Sequence, residues 1–154
     1  MLRKLLATDG SSGAAILRIV LGIVVFAHGS QKMLGWFGGY GFNGTMGFFE
    51  NTLHIPAFLA FLAIAAEFFG GLGLLLGLLT RVAAFGIAVN MLVAIATVHY
   101  KFGFFANWTG AQKGEGYEFH LLVLAICAFL MIKGAGAASL DRKVSDRKLS
   151  RAGV

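Results

Sequence analysis

Apolar residues run along the chain in four blocks, covering residues 13–34, 56–79, 82–100 and 117–136. The first contains AAILRIVLGIVVFA, is interrupted by Arg18 and ends in the polar set His28, Ser30, Gln31 and Lys32. The second holds a single charge, Glu67, and opens on Pro56, at a helix start where a missing N–H costs nothing. A helix needs about 20 mainly apolar residues to cross the hydrocarbon layer, and three of the blocks reach that length. The fourth, from Tyr117 to Lys133, is short, so it is expected either to borrow length from residues 134–138 or to cross a thinned bilayer. The pattern predicts an all-α membrane protein: one domain over 1–154, an antiparallel bundle of four transmembrane helices, and a basic tail over 139–154.

Between the first two blocks, six glycines fall from Gly35 to Gly47, and TMGFFENTLH follows with Met46, Phe49 and Leu53 at helical spacing. This reads as a glycine-rich loop and a short interfacial helix, serving either to let the chain re-enter the bilayer surface or to gate a ligand site. The connection over 101–116 is also rich in glycine and aromatic residues. Trp36, Phe37, Tyr40, Tyr100, Phe104, Phe105, Trp108 and Tyr117 gather at these two connections as an interfacial belt.

Composition supports a membrane setting: 58% hydrophobic residues, 13% charged and a mean hydropathy of +0.79 do not describe a soluble domain. The net charge of +6 points to lipid headgroups, because the basic residues form no aromatic-interleaved patch of the kind that binds nucleic acid. Nine of the thirteen Lys and Arg lie at the termini and the turn at Arg81, against Lys32, Lys101 and Lys113 on the other side. The positive-inside rule then places both termini in the cytoplasm. No cleavable signal peptide is expected, since the first apolar stretch lacks an A-x-A-like exit. One cysteine, Cys127, excludes a disulfide framework, a CxxC pair and a thiolate metal cluster within one chain, and no metal site is expected.

Ionisable groups in hydrocarbon cost about 2.5–3.5 kcal/mol each, so each must be paired, reach a wet cavity or extend to the interface. At about 1.5 Å per residue from the cytoplasmic edge, Arg18 and Asn90 fall near 10 Å, Glu67 near 19 Å, and His28, His99, Glu118 and His120 between about 22 and 26 Å. Glu67, too deep to extend to either surface, needs the neutral form or a partner, and Arg18 and His28 are the candidates. Ala83, Gly86, Asn90, Ala94 and Thr97 form one weakly polar stripe on the third block, which suits helix packing. His99 is placed about 180° from Asn90, and Glu118 about 200° from His120.

Several of these segments together resemble the DoxX family: HGSQKMLGWFGGYG from His28, AAEFFGGLGLLLGLLTR around Glu67, N-M-x-x-A from Asn90, YEFHLL from Tyr117 and GAGAASLDR ending at Arg142. The likeness spans nearly the whole chain from Arg18 to Arg142. It implies a small four-helix bacterial membrane protein of the kind described as an oxidoreductase or as part of a quinone-linked system. One branch resembles the small subunit of a thiosulfate:quinone oxidoreductase, and another is tied to assemblies with soluble redox enzymes. The family's polar positions fall on Arg18, His28, Gln31, Lys32, Glu67, Asn90 and Glu118.

Three functions remain open on this reading. In the first, the protein is a redox-linked membrane oxidoreductase subunit that binds a quinone or similar lipophile. Glu67 and His28 would then relay protons, and Arg18, His28, Gln31, Asn90 and Glu118 would contact the ligand. No dinucleotide or flavin motif is present, so electrons would come from soluble redox enzymes or another membrane subunit. Haem held by His28 and His99 is disfavoured, because His99 faces away from the packing stripe of its helix. The second function is a non-catalytic scaffold that anchors soluble partners, and the third is a small-solute transporter assembled as a homo-oligomer.

Overall fold

The computed structural model describes residues 5–151, with side chains up to residue 146. Arg3 and Lys4, counted in the charge asymmetry, lie outside the described residues. Helix α1 (Ser12–Leu34) starts where the Ser11 side chain accepts the Ala14 N–H and ends at Gly35, in the left-handed conformation a helix stop favours. A 3-10 turn at Trp36–Gly38 leads into α2 (Gly41–Asn51), the expected short helix, which starts before Thr45 and takes in Gly41, Gly44 and Gly47 of the expected loop. Helix α3 (Ala57–Leu76) ends at Gly77, whose φ of 64° permits the tight turn into α4 (Thr80–Ala94). Helix α4 runs on through a π turn at Ile95–His99 and a 3-10 turn at Tyr100–Phe102. After the aromatic connection come α5 (Glu118–Lys133) and α6 (Leu140–Arg151).

Three helices are long and apolar enough to cross a membrane: Ser12–Leu34, Ala57–Leu76 and Thr80–Phe102. At 1.5 Å per residue they measure about 30–35 Å, the thickness of the hydrocarbon layer. Helix α5 measures about 24 Å. It does not borrow length from residues 134–138: Gly134, with φ of 82°, stops it, and the next residues form an irregular loop. No strand occurs among the described residues.

Glycines set the closest approach, between α1 and α3. A Cβ on Gly29 would lie 2.5 Å from the Phe68 backbone, one on Gly71 2.5 Å from Phe26 N, and one on Gly22 2.9 Å from Leu75 N. Small residues on both helices therefore let the backbones touch, the usual device where lipid supplies no hydrophobic drive. Helices α4 and α5 complete the core with Ala84, Ile87, Met91, Val123, Cys127 and Leu130, packed against Leu21, Val25 and Leu74.

Among the described residues, the segments around 8–11 and 135–141 meet at one end, the terminal end. Arg18, fully buried, donates Nε–H to Ala135 O at 2.9 Å, Nη1–H to Leu74 O and to Leu75 O (2.9 Å), and Nη2–H to Ala138 O at 3.2 Å. These carbonyls lie where α3 stops and along the loop after α5; Leu74 O also accepts the Gly77 N–H at 3.2 Å. The guanidinium fork is a shape that can serve several at once. Asp141, also fully buried, accepts the N–H of Leu79 at 2.7 Å and of Thr80 at 2.9 Å, capping α4 from sixty residues away. The segment expected to be a basic tail thus begins docked.

Candidate functional site

Glu67 lies nine residues before the end of α3 and Asn90 ten residues after the start of α4, so the tight turn brings them level. The sequence reading placed them at different depths, because it measured each block from its own edge. In the structure Asn90 donates Nδ2–H to Glu67 Oε1 at 2.7 Å. Lys32, in the last turn of α1, forms an ion pair with Oε2 of the same carboxylate. The expected partners are corrected here: Glu67 pairs with neither Arg18 nor His28. Arg18 is occupied by backbone carbonyls at the terminal end, and His28 sits exposed on α1 with its ring 6.2 Å from Phe119.

The pair is asymmetric. The Glu67 side chain is 7% exposed and that of Lys32 is 27% exposed. The carboxylate is the buried member, while the ammonium opens onto a cavity of about 270 Å³ lined by Gln31, Gly38, Gly39, Tyr40, Thr45, Phe48 and Phe49. Its roof is α2 and the 3-10 turn. A Cβ on Gly39 would fall 2.3 Å from Gln31 O, so only glycine lets this loop lie against the end of α1. Gln31 donates Nε2–H to Phe37 O at 3.3 Å across the cavity edge. Thr45 is the buried residue of α2.

The remaining expected residues go elsewhere. Glu118 accepts the Ala106 N–H and the Trp108 Nε1–H, both at 3.0 Å, and so orders the aromatic connection. His99, placed by a regular helix away from the packed face, is brought round by the π turn at Ile95–His99. Its ring centroid lies 4.1 Å from that of His120, and its Nδ1 is 2.8 Å from Glu115 O. His120 is buried with Nδ1 lacking a hydrogen-bond partner among the described residues. Of the expected residues, then, Glu67, Asn90 and Gln31 gather around one site, whereas Arg18, His28 and Glu118 do not. Lys32, a polar position of the resemblance, is the member missing from the expected relay and ligand contacts. The signal was its spacing: three residues beyond Gly29, it continues the face of Gly22 and Gly29 that meets α3.

The DoxX sequence model matches residues 13–100, which take in Lys32, Glu67 and Asn90. The chain belongs to the DoxX family. It is 32% identical over 129 residues to "Putative oxidoreductase CatD" of Bacillus subtilis, covering 84% of each chain. It is 29% identical over 135 residues to "Inner membrane protein YqjF" of Escherichia coli, covering 88% of this chain and 94% of that one. It is 32% identical over 150 residues to "Uncharacterized membrane protein Rv3486" of Mycobacterium tuberculosis, covering 94% of this chain and 88% of that one. No solved structure matches. This DoxX chain is a membrane protein, and its Lys32–Glu67–Asn90 network joins three helices, α1, α3 and α4, each long and apolar enough to span a bilayer.

Proposed function

We propose that this protein is a redox-linked subunit of the bacterial inner membrane that binds a quinone-type lipophile in the cavity roofed by α2 and supplies protons to it through Lys32 and Glu67. The observation that carries the reading is a buried carboxylate whose cationic partner faces an aromatic-walled cavity. The residues fit such a ligand: Phe48, Phe49 and Tyr40 offer ring contacts, while Lys32, Gln31 and Thr45 offer donors for ring oxygens. When bound, the ligand supplies a two-electron carrier that takes up two protons on reduction. Lys32 donates a hydrogen bond to a ring oxygen, Glu67 holds the exchangeable proton behind it, and Asn90 fixes the carboxylate orientation. Electrons enter from a partner protein, since the chain carries no dinucleotide or flavin motif. A relative's name, "Putative oxidoreductase CatD", supports a redox role.

In the membrane, α5 makes a fourth, short crossing antiparallel to α4, with both termini cytoplasmic in accord with the Lys and Arg asymmetry. Labelling of single cysteines at Asn43 and Ser145 tests this: Ser145 reached from outside intact cells overturns it. Glu67→Gln tests the chemistry, because it keeps shape and hydrogen bonding while removing the proton. It is expected to insert and fold, to fail to complement a deletion strain, and to be partly rescued by Glu67→Asp. Full complementation by Glu67→Gln overturns the proton role and moves the assignment to a non-catalytic accessory subunit.

A further inference from the structure

The terminal end of the molecule is an interlocked cap. Thr8 Oγ1 accepts the Gly136 N–H at 2.6 Å, Ser11 O accepts the Ala137 N–H at 3.0 Å, and Arg81 donates to Ala7 O, Met131 O and Ile132 O. Helix α6 is fastened to this cap at its first turn. The Asp141 N–H donates to Gly77 O at 2.8 Å, the Asp141 carboxylate holds the N–H groups of Leu79 and Thr80, and Ser139 Oγ accepts the Arg142 N–H at 3.3 Å. From Lys133 to Arg151 the sequence has six cations (Lys133, Arg142, Lys143, Arg147, Lys148, Arg151) and two carboxylates (Asp141, Asp146). Asp141 is turned inward as a cap, and Asp146 sits 3.7 Å from Arg142. Lys133 and Lys143 are exposed, and Arg147, Lys148 and Arg151 follow along the same helix.

We propose that α6 is a positioned cationic surface that binds the headgroups of anionic phospholipids, with Asp141 as the positioning residue that holds it against the end of the α3–α4 hairpin. Charge complementarity carries the choice of occupant. The helix begins at the end of two spans, where headgroups lie, and Asp141 has been withdrawn into a cap, so that the helix's five Lys and Arg stand against one remaining carboxylate, Asp146, itself 3.7 Å from Arg142. Each cation near a charged membrane surface adds to the attraction, and the attraction falls with salt. The inference is independent of the cavity, since none of these residues lines it.

Asp141 makes the proposal sharply testable, because position and charge make opposite forecasts for Asp141→Asn. The substitution adds one unit of positive charge, so a tail acting by charge alone binds anionic lipid more tightly. A positioned helix loses its anchor and binds less, because an amide nitrogen cannot accept the second backbone N–H. The full-length protein, purified in neutral detergent, is exposed to phosphatidylglycerol or phosphatidylcholine, and bound lipid is measured by native mass spectrometry across a salt series. Phosphatidylglycerol is expected to be retained over phosphatidylcholine, with the preference declining as salt rises and unaffected by inorganic phosphate at matched ionic strength. The variant carrying Lys143→Gln, Arg147→Gln, Lys148→Gln and Arg151→Gln is expected to lose about tenfold or more of that preference. Asp141→Asn is expected to weaken it. Where Asp141→Asn does not give monodisperse protein, Ser139→Ala, which loosens the same turn without altering charge, takes its place and is also expected to weaken binding. Equal retention of the two lipids, displacement by inorganic phosphate, an unaltered preference in the four-residue variant, tighter binding by Asp141→Asn, or unchanged binding by Ser139→Ala overturns the proposal.

Discussion

Removing Lys32 should harm the fold more than removing the carboxylate it pairs with. In Lys32→Met the Glu67 side chain, 7% exposed, keeps one hydrogen bond from Asn90 and loses its only cation among the described residues. Stripping one partner from a fully buried pair costs about 3–5 kcal/mol. Here the Lys32 side chain is 27% exposed and Asn90 still holds Oε1, so a loss of about 2 kcal/mol is the better figure. In Glu67→Met the remaining lysine can swing on its flexible stem into the cavity toward the interface, and the loss should be below about 1 kcal/mol. The double variant removes both charges and should recover to within about 1 kcal/mol of the parent, because replacing a buried pair by apolar groups is often neutral. Unfolding of the four purified proteins in mixed micelles by a denaturing detergent gives the cycle. A Glu67→Met loss equal to or larger than that of Lys32→Met, or a double-variant loss equal to the sum of the singles, refutes the assignment of Glu67 as the buried member of a coupled pair.

Other outcomes follow from the geometry of single positions. Gly29→Ala should lower stability by about 1–3 kcal/mol, since its methyl meets the Phe68 backbone at 2.5 Å, whereas Gly47→Ala, whose methyl finds only Asn51 Nδ2 at 3.8 Å, should be neutral or stabilise α2 by up to about 1 kcal/mol; thermal unfolding compares them. Arg18→Lys should cost about 2 kcal/mol or more, because a point ammonium cannot replace a fork that serves several carbonyls, and accumulation in the membrane reads the loss. Glu118→Ala should free the Ala106 N–H and the Trp108 indole, speeding tryptic cleavage at Lys113 and shifting tryptophan emission, with α5 itself unchanged by circular dichroism.

Some of this protein was legible along the chain because the bilayer imposes simple rules. Span length, the near absence of charge within spans and the clustering of aromatic residues at two connections follow from solvation alone, and a linear sequence displays them. The same reasoning marked Glu67 as a residue that must have company, and the glycines after Gly35 as a loop ahead of a short helix. Which company Glu67 keeps was another matter. Depth counted from block edges separated Glu67 from Asn90, yet the turn at Gly77 lets α3 and α4 meet level. Glycine contacts at Gly22, Gly29 and Gly71 then bring α1 near enough for Lys32 to reach across. Arg18 looked like a charge awaiting a ligand or a headgroup; only the folded chain brings the carbonyls of Leu74, Leu75, Ala135 and Ala138 to it. A regular helical phase turned His99 away, and one π turn, which no periodicity records, turned it back toward His120. Sequence determines what each residue cannot tolerate alone, because transfer energies belong to single side chains. Tertiary structure decides which partner relieves it, because that depends on where helices start, stop and touch.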